Sequence, residues 1–228
     1  ANGSASESGR QSLVGRISYS YENKYLIEST LRYDGSPNFP EGKRWGTFPG
    51  VSAGWRISEE SFIKENIPWI DNLKIRGGFS QTGYDGVPAY QYLAGYQFSG
   101  YYVSNGSEVP ALGTTGLPNK NISWETMTLS NIGLDFSLFK SKIYSEFDVF
   151  DRLRDDMLGS RIAALPNTFG ASLPDENINS QRTRGFELLI GSRKRSGNFG
   201  YDISANLSYS RSKWEHFEEV DYTDPDDI

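Results

Sequence analysis

The feature that most constrains the fold is a strict alternation of apolar and polar side chains between residues 13 and 33. The odd positions carry mainly Leu, Ile and Tyr, whereas most even positions carry Ser, Thr, Arg or Glu. A polar turn at Glu22, Asn23 and Lys24 interrupts the run without ending it. A period of two residues is typical of strands whose two faces meet different surroundings, so the pattern predicts a pair of strands joined by a tight turn. The apolar face could meet either a protein core or lipid.

The same alternation recurs in six further runs. They cover residues 47–57, 72–82, 126–138, 143–151, 184–192 and 199–211. With the first pair, the sequence predicts eight strands and an all-β, antiparallel fold. Several runs reach about the 9 to 11 residues that a tilted strand needs to cross the hydrocarbon layer of a membrane.

The connections between these runs alternate in length. Residues 22–24, 140–142 and 193–198 are short connections, residues 34–46, 83–123 and 152–181 are long, and residues 58–71 are intermediate. In an antiparallel meander, alternate connections lie at the same end of the sheet, so the long loops are expected at one rim and the short turns at the other. Outer-membrane barrels have this asymmetry. The basic run Arg193, Lys194 and Arg195 is interpreted as part of a solvated turn.

The sequence favours lipid outside the sheet and water inside it. Aromatic residues such as Tyr21, Tyr25, Trp55 and Tyr201 concentrate where strands end, as interfacial girdles do. The chain has no apolar stretch of about 20 residues, so a closed barrel is the available way to span a bilayer. The side chains expected to face lipid are Ile17, Ile27, Val51, Ile75, Leu134, Phe147, Leu188 and Leu207.

One segment departs from the strand pattern. In residues 58–71, Phe62, Ile63, Ile67 and Ile70 are spaced as in a short helix, for which Ser58 or Ser61 is the expected cap. This helix is interpreted as a structural element of a wide turn on the short-turn rim.

Composition excludes several classes of function. The 228-residue chain has no Cys and a single His, His216, so thiol chemistry, disulfides and most zinc sites are ruled out. A net charge of −6 and a pI near 5.0 argue against a nucleic-acid partner. Residues 1–10 lack the apolar core of a signal peptide and are interpreted as a loop.

Five stretches resemble the β-barrel of the SusC-type TonB-dependent transporters. "YENKYLIESTLRYDGSPNF" is similar to a hairpin ending in an Arg-x-Asp-Gly-Ser loop, and "FPGVSAGWRISEESFI" to a Gly-Trp-x-x-Ser-Glu-Glu strand and turn. "LKIRGGFSQTG", "ISWETMTLSNIGLDFSLF" and "RTRGFELLIGS" resemble later strands of the same family, in the same order. The resemblance extends from Leu13 to about Tyr209.

The resemblance implies a segment of a larger importer in the outer membrane of a Gram-negative bacterium. The family barrel has 22 strands, an N-terminal plug and a segment that contacts TonB, so residues 1–228 are expected to be part of the barrel domain, without the plug. Eight strands cannot close such a barrel, and open edges pair promiscuously, so the rest of the barrel is an expected partner. The implied activity is oligosaccharide import with a SusD-type surface lipoprotein. Peptide import on the same scaffold is the alternative, and a passive porin, an adhesin barrel or a soluble carbohydrate-binding β-sandwich are alternatives of other classes.

Catalysis and metal binding are not expected. Acidic pairs such as Glu59 with Glu60, or Asp155 with Asp156, are adjacent in sequence, which does not place two carboxylates across a glycosidic bond. The acidic residues near 221–227 lack the order of an EF-hand and are interpreted as a solvated loop. No nucleophile elbow, phosphate loop, metal spacing or cofactor motif is present in the sequence.

The best candidates for binding are tyrosines of the long loop 83–123. Tyrosine offers a flat apolar ring with a polar end at low entropic cost, which suits sugar stacking or a protein interface. These residues are Tyr84, Tyr90, Tyr92, Tyr96, Tyr101 and Tyr102. Packing of these rings within the loop itself is the alternative interpretation.

Overall fold

The computed structural model describes residues 8–161, 173–196 and 199–218. Eight long strands form one antiparallel sheet in the order β1-β2-β3-β4-β7-β8-β9-β10, and two more strands, β5 and β6, form a separate hairpin. The strands are β1 (Gln11–Tyr21), β2 (Tyr25–Gly35), β3 (Trp45–Arg56), β4 (Ile70–Tyr84), β5 (Tyr96–Ser104), β6 (Ser107–Thr114), β7 (Glu125–Leu138), β8 (Ile143–Ser160), β9 (Asp175–Ser196) and β10 (Phe199–His216). The predicted eight-strand meander is therefore confirmed. Among the described helices, none has the length and apolar character to cross a membrane.

Cross-strand pairing places the expected lipid-facing residues on one face of the sheet. One row of paired residues crosses seven strands from β2 to β10: Tyr25, Trp55, Ile75, Leu134, Phe147, Leu188 and Leu207. Ile17, Ile27 and Val51 lie on the same face in neighbouring rows, since side chains alternate along each strand. Because no second described sheet covers this face, most of these side chains are exposed.

The apolar band runs diagonally across the sheet and has the height of a hydrocarbon layer. On β1 it runs from Tyr21 to Leu13, and on β10 from Phe199 to Tyr209. Between β1 and β10 the upper border therefore shifts toward the short turns by three rows of outward side chains, and the lower border by four. At about 3.4 Å per residue and a tilt of about 40°, these stretches span roughly 21 to 26 Å along a barrel axis. A diagonal band is what tilted strands produce when the band lies parallel to a membrane.

Two strands continue far beyond the predicted ends. Residues 152–181 were expected to form a loop, but β8 extends to Ser160 and β9 begins at Asp175. The basic run at 193–195 is likewise part of β9, not of a turn, and Arg193 lies over the Tyr144 ring at 5.1 Å. In these extensions polar and charged residues occupy both faces, so the alternation disappears although the backbone pairing continues.

The short-turn segment differs from its prediction in how the helix begins. A 3-10 turn (Ile57–Glu59) precedes helix α1 (Ser61–Lys64). The N-cap of α1 is Glu60, without a side-chain cap hydrogen bond, so the predicted caps Ser58 and Ser61 are wrong. The acidic side chains serve instead in ion pairs: Glu59 contacts Arg56 at 3.4 Å and Lys64 at 3.2 Å.

The sheet separates between β3 and β4 at the long-loop rim. Their pairing runs from Arg56 with Lys74 only as far as Gly50 with Ser80, although both strands continue. The ring of Phe48 fills the gap: a Cβ atom on Gly83 would lie 1.9 Å from it, and one on Gly46 would lie 2.5 Å from it. Glycine at both positions lets an aromatic residue anchor the loops above the split.

Candidate functional site

The long-loop rim is built on a small aromatic core. Its buried members are Phe39, Phe48, Val87, Ile122 and Trp124. The Trp124 ring lies 5.1 Å from that of Phe39 and 5.4 Å, edge to face, from that of Phe48. Among the described residues this is the cluster of fully buried apolar side chains, since the faces of the sheet are uncovered. We call this set the rim core.

Hydrogen bonds join the loops around the rim core. Asn38 donates its amide to the backbone oxygen of Asp85 at 3.0 Å, and the Trp124 indole donates to the backbone oxygen of Arg44 at 3.3 Å. The Lys43 ammonium donates to the backbone oxygen of Asn121 at 2.7 Å. These bonds from side chains to backbone oxygens connect residues 36–44 to residues 85–124.

A second group of amide bonds ties the same loop to β9. Asn119 donates to the backbone oxygen of Asp175 at 2.6 Å, and Asn177 both accepts from Ser123 N at 2.9 Å and donates to Ser123 O at 3.0 Å. The rim is therefore a platform that extends from β2 to β9. A rigid platform is a suitable base for a binding loop.

The β5–β6 hairpin projects from this platform with an apolar face uncovered. A bulge between Phe98 and Tyr101 contains Gly100 at φ +80°, and it resets the register so that Tyr101 falls on the same face as Tyr96 and Phe98. Without the bulge the tyrosine would point the other way. The apolar hairpin face comprises Tyr96, Phe98, Tyr101, Val103, Pro110 and Leu112, with Thr114 and Glu108 at its two ends. Tyr96 and Phe98 each keep 76% of their surface exposed.

The six predicted tyrosines separate into three environments. Tyr96 and Tyr101 share the apolar hairpin face, whereas Tyr102 lies on the opposite face. Tyr92 packs against the rim core, and the ring of Tyr90 lies edge to face with the ring of Tyr92 at 6.3 Å. Tyr84 ends β4 opposite Glu125, on the polar face of the sheet. The structure therefore does not bring the six together into one site.

Sequence reasoning missed two features of the rim. Leu112 belongs to the apolar hairpin face as fully as Phe98 and the tyrosines do, and the bulge geometry that unites them was not evident from the spacing. A cavity of about 610 Å³ lies beside the platform, lined by Arg10, Arg44, Trp45 and Tyr90 among others. Arg10 pairs with the buried carboxylate of Asp85.

The polar face of the sheet carries an ion cluster. Arg76 on β4 donates to Asp135 on β7 at 3.0 Å and to Asp148 on β8 at 2.7 and 2.5 Å. Gly133 separates the two carboxylates, and a Cβ atom there would lie 2.7 Å from both Arg76 Cζ and Asp148 Oδ1. Three neighbouring strands are thus linked on the face opposite to the apolar band. We call this set the Arg76 cluster.

Within the described ranges 8–161, 173–196 and 199–218, no group of three or more His, Asp or Glu residues is arranged to hold a metal ion. Glu59 and Glu60, an acidic pair considered from sequence, are occupied by ion pairs with basic neighbours. This carboxylate pair therefore serves the structure of the wide turn.

Comparison with known proteins identifies the family. A sequence model described as "TonB dependent receptor-like, beta-barrel" matches residues 2–227. The chain belongs to this family. It is 33% identical to the TonB-dependent receptor SusC of Bacteroides thetaiotaomicron over 95% of the chain and 21% of SusC, and 35% identical to the TonB-dependent receptor P39 of Formosa agariphila over 89% of the chain and 19% of P39. The chain thus spans about a fifth of the length of these curated relatives.

Solved structures agree on the fold. The RagAB peptide importer in its closed-closed state superposes with a TM-score of 0.79 at 23% identity, covering 95% of this chain and 23% of that one. The open-open state gives a TM-score of 0.80 at 22% identity, covering 95% and 23%. The open sheet is accordingly a sector of a TonB-dependent receptor barrel in the outer membrane. The apolar band meets lipid, and the polar face with the Arg76 cluster lines the lumen.

At the short-turn rim, Glu60 holds two residues of the aromatic girdle, Tyr25 and Trp55, in place. It accepts a hydrogen bond from the Tyr25 hydroxyl at 2.7 Å and from the Trp55 indole at 3.1 Å, and it pairs with Lys24 at 3.4 Å. The hydrogen bonds from Tyr25 and Trp55, followed by the charge of Lys24, lower the pKa of Glu60 below its ordinary value. A depressed pKa means that ionised Glu60 stabilises the folded state, and that this contribution is lost as the pH falls through the folded-state pKa.

Replacing Glu60 by glutamine should therefore lower the stability of the intact barrel in a pH-dependent way. At pH 7 the urea-unfolding midpoint of Glu60→Gln should lie below that of the wild type, because the charge that holds Tyr25, Trp55 and Lys24 is gone. The difference should narrow as the pH falls below the ordinary pKa of glutamate, and it should close only below the lower pKa of folded Glu60, where the wild-type carboxyl in the barrel is also neutral. Glu22→Gln, which removes a more exposed carboxylate near the same lysine, is the matched control. A difference that does not vary with pH would contradict this role.

Proposed function

We propose that the chain is part of a TonB-dependent importer that takes up oligosaccharides together with a SusD-type surface lipoprotein. The observation that carries this proposal is the apolar hairpin face, which projects from a rigid platform on the long-loop rim. Family membership, together with the long loops on this rim, supports an extracellular position for it. The rest of the barrel, the plug and the TonB-contacting segment belong, in this proposal, to other parts of the same polypeptide.

The apolar hairpin face has the composition of a protein-docking surface. Three aromatic rings and three aliphatic side chains lie side by side on a two-stranded sheet, and isolated hairpins of this size do not expose such a face without a partner. Aromatic residues dominate the binding energy of many interfaces. A lipoprotein seated over the barrel mouth would cover this face while the rim core keeps the hairpin base in place.

Substrate contact is assigned to a different tyrosine. Tyr84 faces the lumen at the end of β4, beside the ion pair of Glu125 with Arg154 at 3.3 Å. An exposed ring next to charged groups can stack on a sugar while its neighbours form hydrogen bonds. The assignment to oligosaccharides rests on the resemblance to SusC-type proteins. Peptide import is the second candidate, because the barrel of a peptide importer has the same fold.

The proposal predicts that polar substitution of the apolar hairpin face weakens lipoprotein binding. The variant Tyr96→Ser/Phe98→Ser/Tyr101→Ser, made in the intact transporter, should bind its lipoprotein roughly 100-fold more weakly or worse, since aromatic hot spots each contribute about 2 kcal/mol or more. Affinity can be measured by surface binding of the purified lipoprotein to the transporter in nanodiscs.

Tyr102→Ser is the matched control, because this ring lies on the opposite face of the same hairpin. It should leave the affinity within about twofold. Equal losses in both variants would mean that the hairpin contributes through its own folding. Uptake of labelled oligosaccharides and of labelled peptides, measured in wild-type cells and in cells carrying Tyr84→Ala, separates the two substrate classes. Wild-type cells should take up the oligosaccharides, and Tyr84→Ala should reduce that uptake. Wild-type cells that take up only peptides, with this uptake lost in Tyr84→Ala, would overturn the proposed substrate.

A further inference from the structure

The outward face of β8–β10 carries a group of cations directly above the apolar band. Paired residues place Asp151, Arg184 and Arg211 in one row, and the next row contains Leu153, Arg182 and Lys213. Both rows lie on the lipid-facing side, because they continue the alternation of Phe147, Phe186 and Tyr209 by even numbers of residues. They therefore stand where the hydrocarbon layer ends and lipid head groups begin.

These two rows have a surplus of positive charge. The four cations face one carboxylate, Asp151, which accepts from Arg184 at 2.6 Å and lies 3.3 Å from Arg182. Arg182 also contacts Glu215 at 3.4 Å, and Glu215 and Asp155 lie further toward the loops. Within the described residues, no carboxylate lies within salt-bridge distance of Arg211 or Lys213. Two guanidinium or ammonium groups thus remain available to an external anion.

Among the eight described strands of the sheet, the surplus is confined to β8–β10. At the corresponding border of the apolar band on β1–β4, the outward positions are Gln11, Gly35, Trp45, Gln81 and Gly83, none of which is charged. If these cations only marked the border between lipid and water, similar charges would be expected at the upper border of the apolar band on every strand. The restriction to β8–β10 indicates a local binding surface.

A depression in the apolar band leads up to these cations. It has a volume of about 880 Å³, and its outward lining includes Gly77, Ile132, Val149, Phe186 and Tyr209, with Arg184, Arg211 and Asp151 at its upper end. The depression exists because Gly77 contributes no side chain between Ile132 and Ala53. Its apolar floor has the chemistry of an acyl-chain contact, and its cationic end has that of a phosphate contact.

We propose that this surface binds an anionic lipid of the outer leaflet, with its phosphate on Arg211, Lys213 and Arg184 and an acyl chain over Gly77 and Ile132. The site is independent of the substrate and of the lipoprotein, since it lies on the opposite face of the sheet from the lumen. A lipid held here would cover the outer side of the same strands whose extensions carry the long-loop platform.

Retention of defined lipids by the intact transporter tests the site. The protein is purified in detergent, incubated with diphosphorylated lipid A, phosphatidylglycerol or phosphatidylcholine, and examined by native mass spectrometry. The wild type should retain lipid A and phosphatidylglycerol in preference to phosphatidylcholine. Arg211→Gln/Lys213→Gln should lose roughly 10- to 30-fold in apparent affinity for the two anionic lipids, as expected for two interfacial cations.

Two further variants keep the proposal falsifiable. Gly77→Leu fills the depression without touching a charge, and a Cβ atom there meets only Asn131 O at 3.6 Å, so the barrel should assemble while lipid retention falls. Arg152→Gln removes a cation from the lumen-facing side of β8 and should retain lipid normally. Unchanged retention in both the double variant and Gly77→Leu, or an equal loss in Arg152→Gln, would overturn the site. Displacement of lipid A by millimolar inorganic phosphate alone would also overturn it, since the acyl contact would then contribute nothing.

Discussion

Replacing Phe39 by alanine should open the long-loop rim to protease while leaving the membrane-spanning strands folded. Phe39 has 0% of its surface exposed and packs on Trp124, so truncation leaves a cavity in a core of only five buried residues. Large-to-small substitutions of this kind cost about 3 to 5 kcal/mol. Phe39 lies in the connection between β2 and β3 and not in a membrane-spanning strand, so the loss should fall on the local opening of residues 36–44 and 85–124.

Limited proteolysis of the intact transporter measures this opening. When opening is fast relative to cleavage, the rate follows the open population, and a loss of about 3 kcal/mol corresponds to a rate increase of more than 100-fold. Leu117→Ala is the matched control, because Leu117 lies in the connection between β6 and β7 on the same rim but is 40% exposed. Heat-resistant migration of the folded barrel on gels should be the same in both variants. A Phe39→Ala protein whose loops resist protease as the wild type does would show that the rim is held by something other than its core.

The membrane-spanning part of this fold was predictable because lipid imposes a simple pattern. One face of each strand must be apolar over about 25 Å, and the lumen face is polar, so the period of two is visible in the sequence. Ile17, Ile75 and Leu207 were assigned to the correct face on this basis. The alternation of long and short connections then assigned the loops to the two rims, without any knowledge of contacts.

Above the membrane the same reasoning failed for a physical reason. Both faces of β8 and β9 meet water there, and ion pairs such as Asp151 with Arg184 hold the strands in register instead of an apolar pattern. Residues 152–160 therefore read as a loop. The β5–β6 hairpin was missed because a bulge at Gly100 breaks the period in the middle of β5.

The candidate site was predicted in location but not in composition. The long loop after β4 does carry an exposed aromatic surface, yet only Tyr96 and Tyr101 of the six tyrosines lie on its apolar face. Tyr92 was indistinguishable from them in sequence, since packing against the rim core depends on Phe39 and Ile122, which are distant along the chain. The stretches that resemble the SusC-type family include residues of the rim core: Phe39 ends "YENKYLIESTLRYDGSPNF", and Trp124 lies in "ISWETMTLSNIGLDFSLF". These residues are therefore better explained by rim stability than by substrate contact.

Replacing Arg76 by methionine should impair assembly of the barrel wall. The guanidinium is the shared cation between Asp135 and Asp148, and cross-strand partners bring two more carboxylates, Glu146 and Glu187, to the same region. Removing one partner of a partly buried ion cluster leaves uncompensated like charges on adjacent strands. Because the cluster keeps 21 to 29% of its side-chain surface exposed, we expect a loss of roughly 2 to 3 kcal/mol, below the value for a fully buried pair.

The folded fraction on unheated gels and the urea-unfolding midpoint of the intact transporter should both fall in Arg76→Met. Adding Asp148→Asn to Arg76→Met should restore part of the lost stability, because it removes one of the repelling charges. If Arg76→Met caused only a packing defect, this second substitution would not be expected to help. Arg32→Met is the matched control, since Arg32 pairs with Asp34 at 3.0 Å on the same face but is 55% exposed. Gly133→Ala should resemble a mild form of Arg76→Met, because its Cβ atom would occupy the space in which the guanidinium reaches Asp148. If Arg76→Met and Arg32→Met behave alike, the three strands are held by their backbone pairing and lipid contacts, and the Arg76 cluster contributes no more than an exposed pair does.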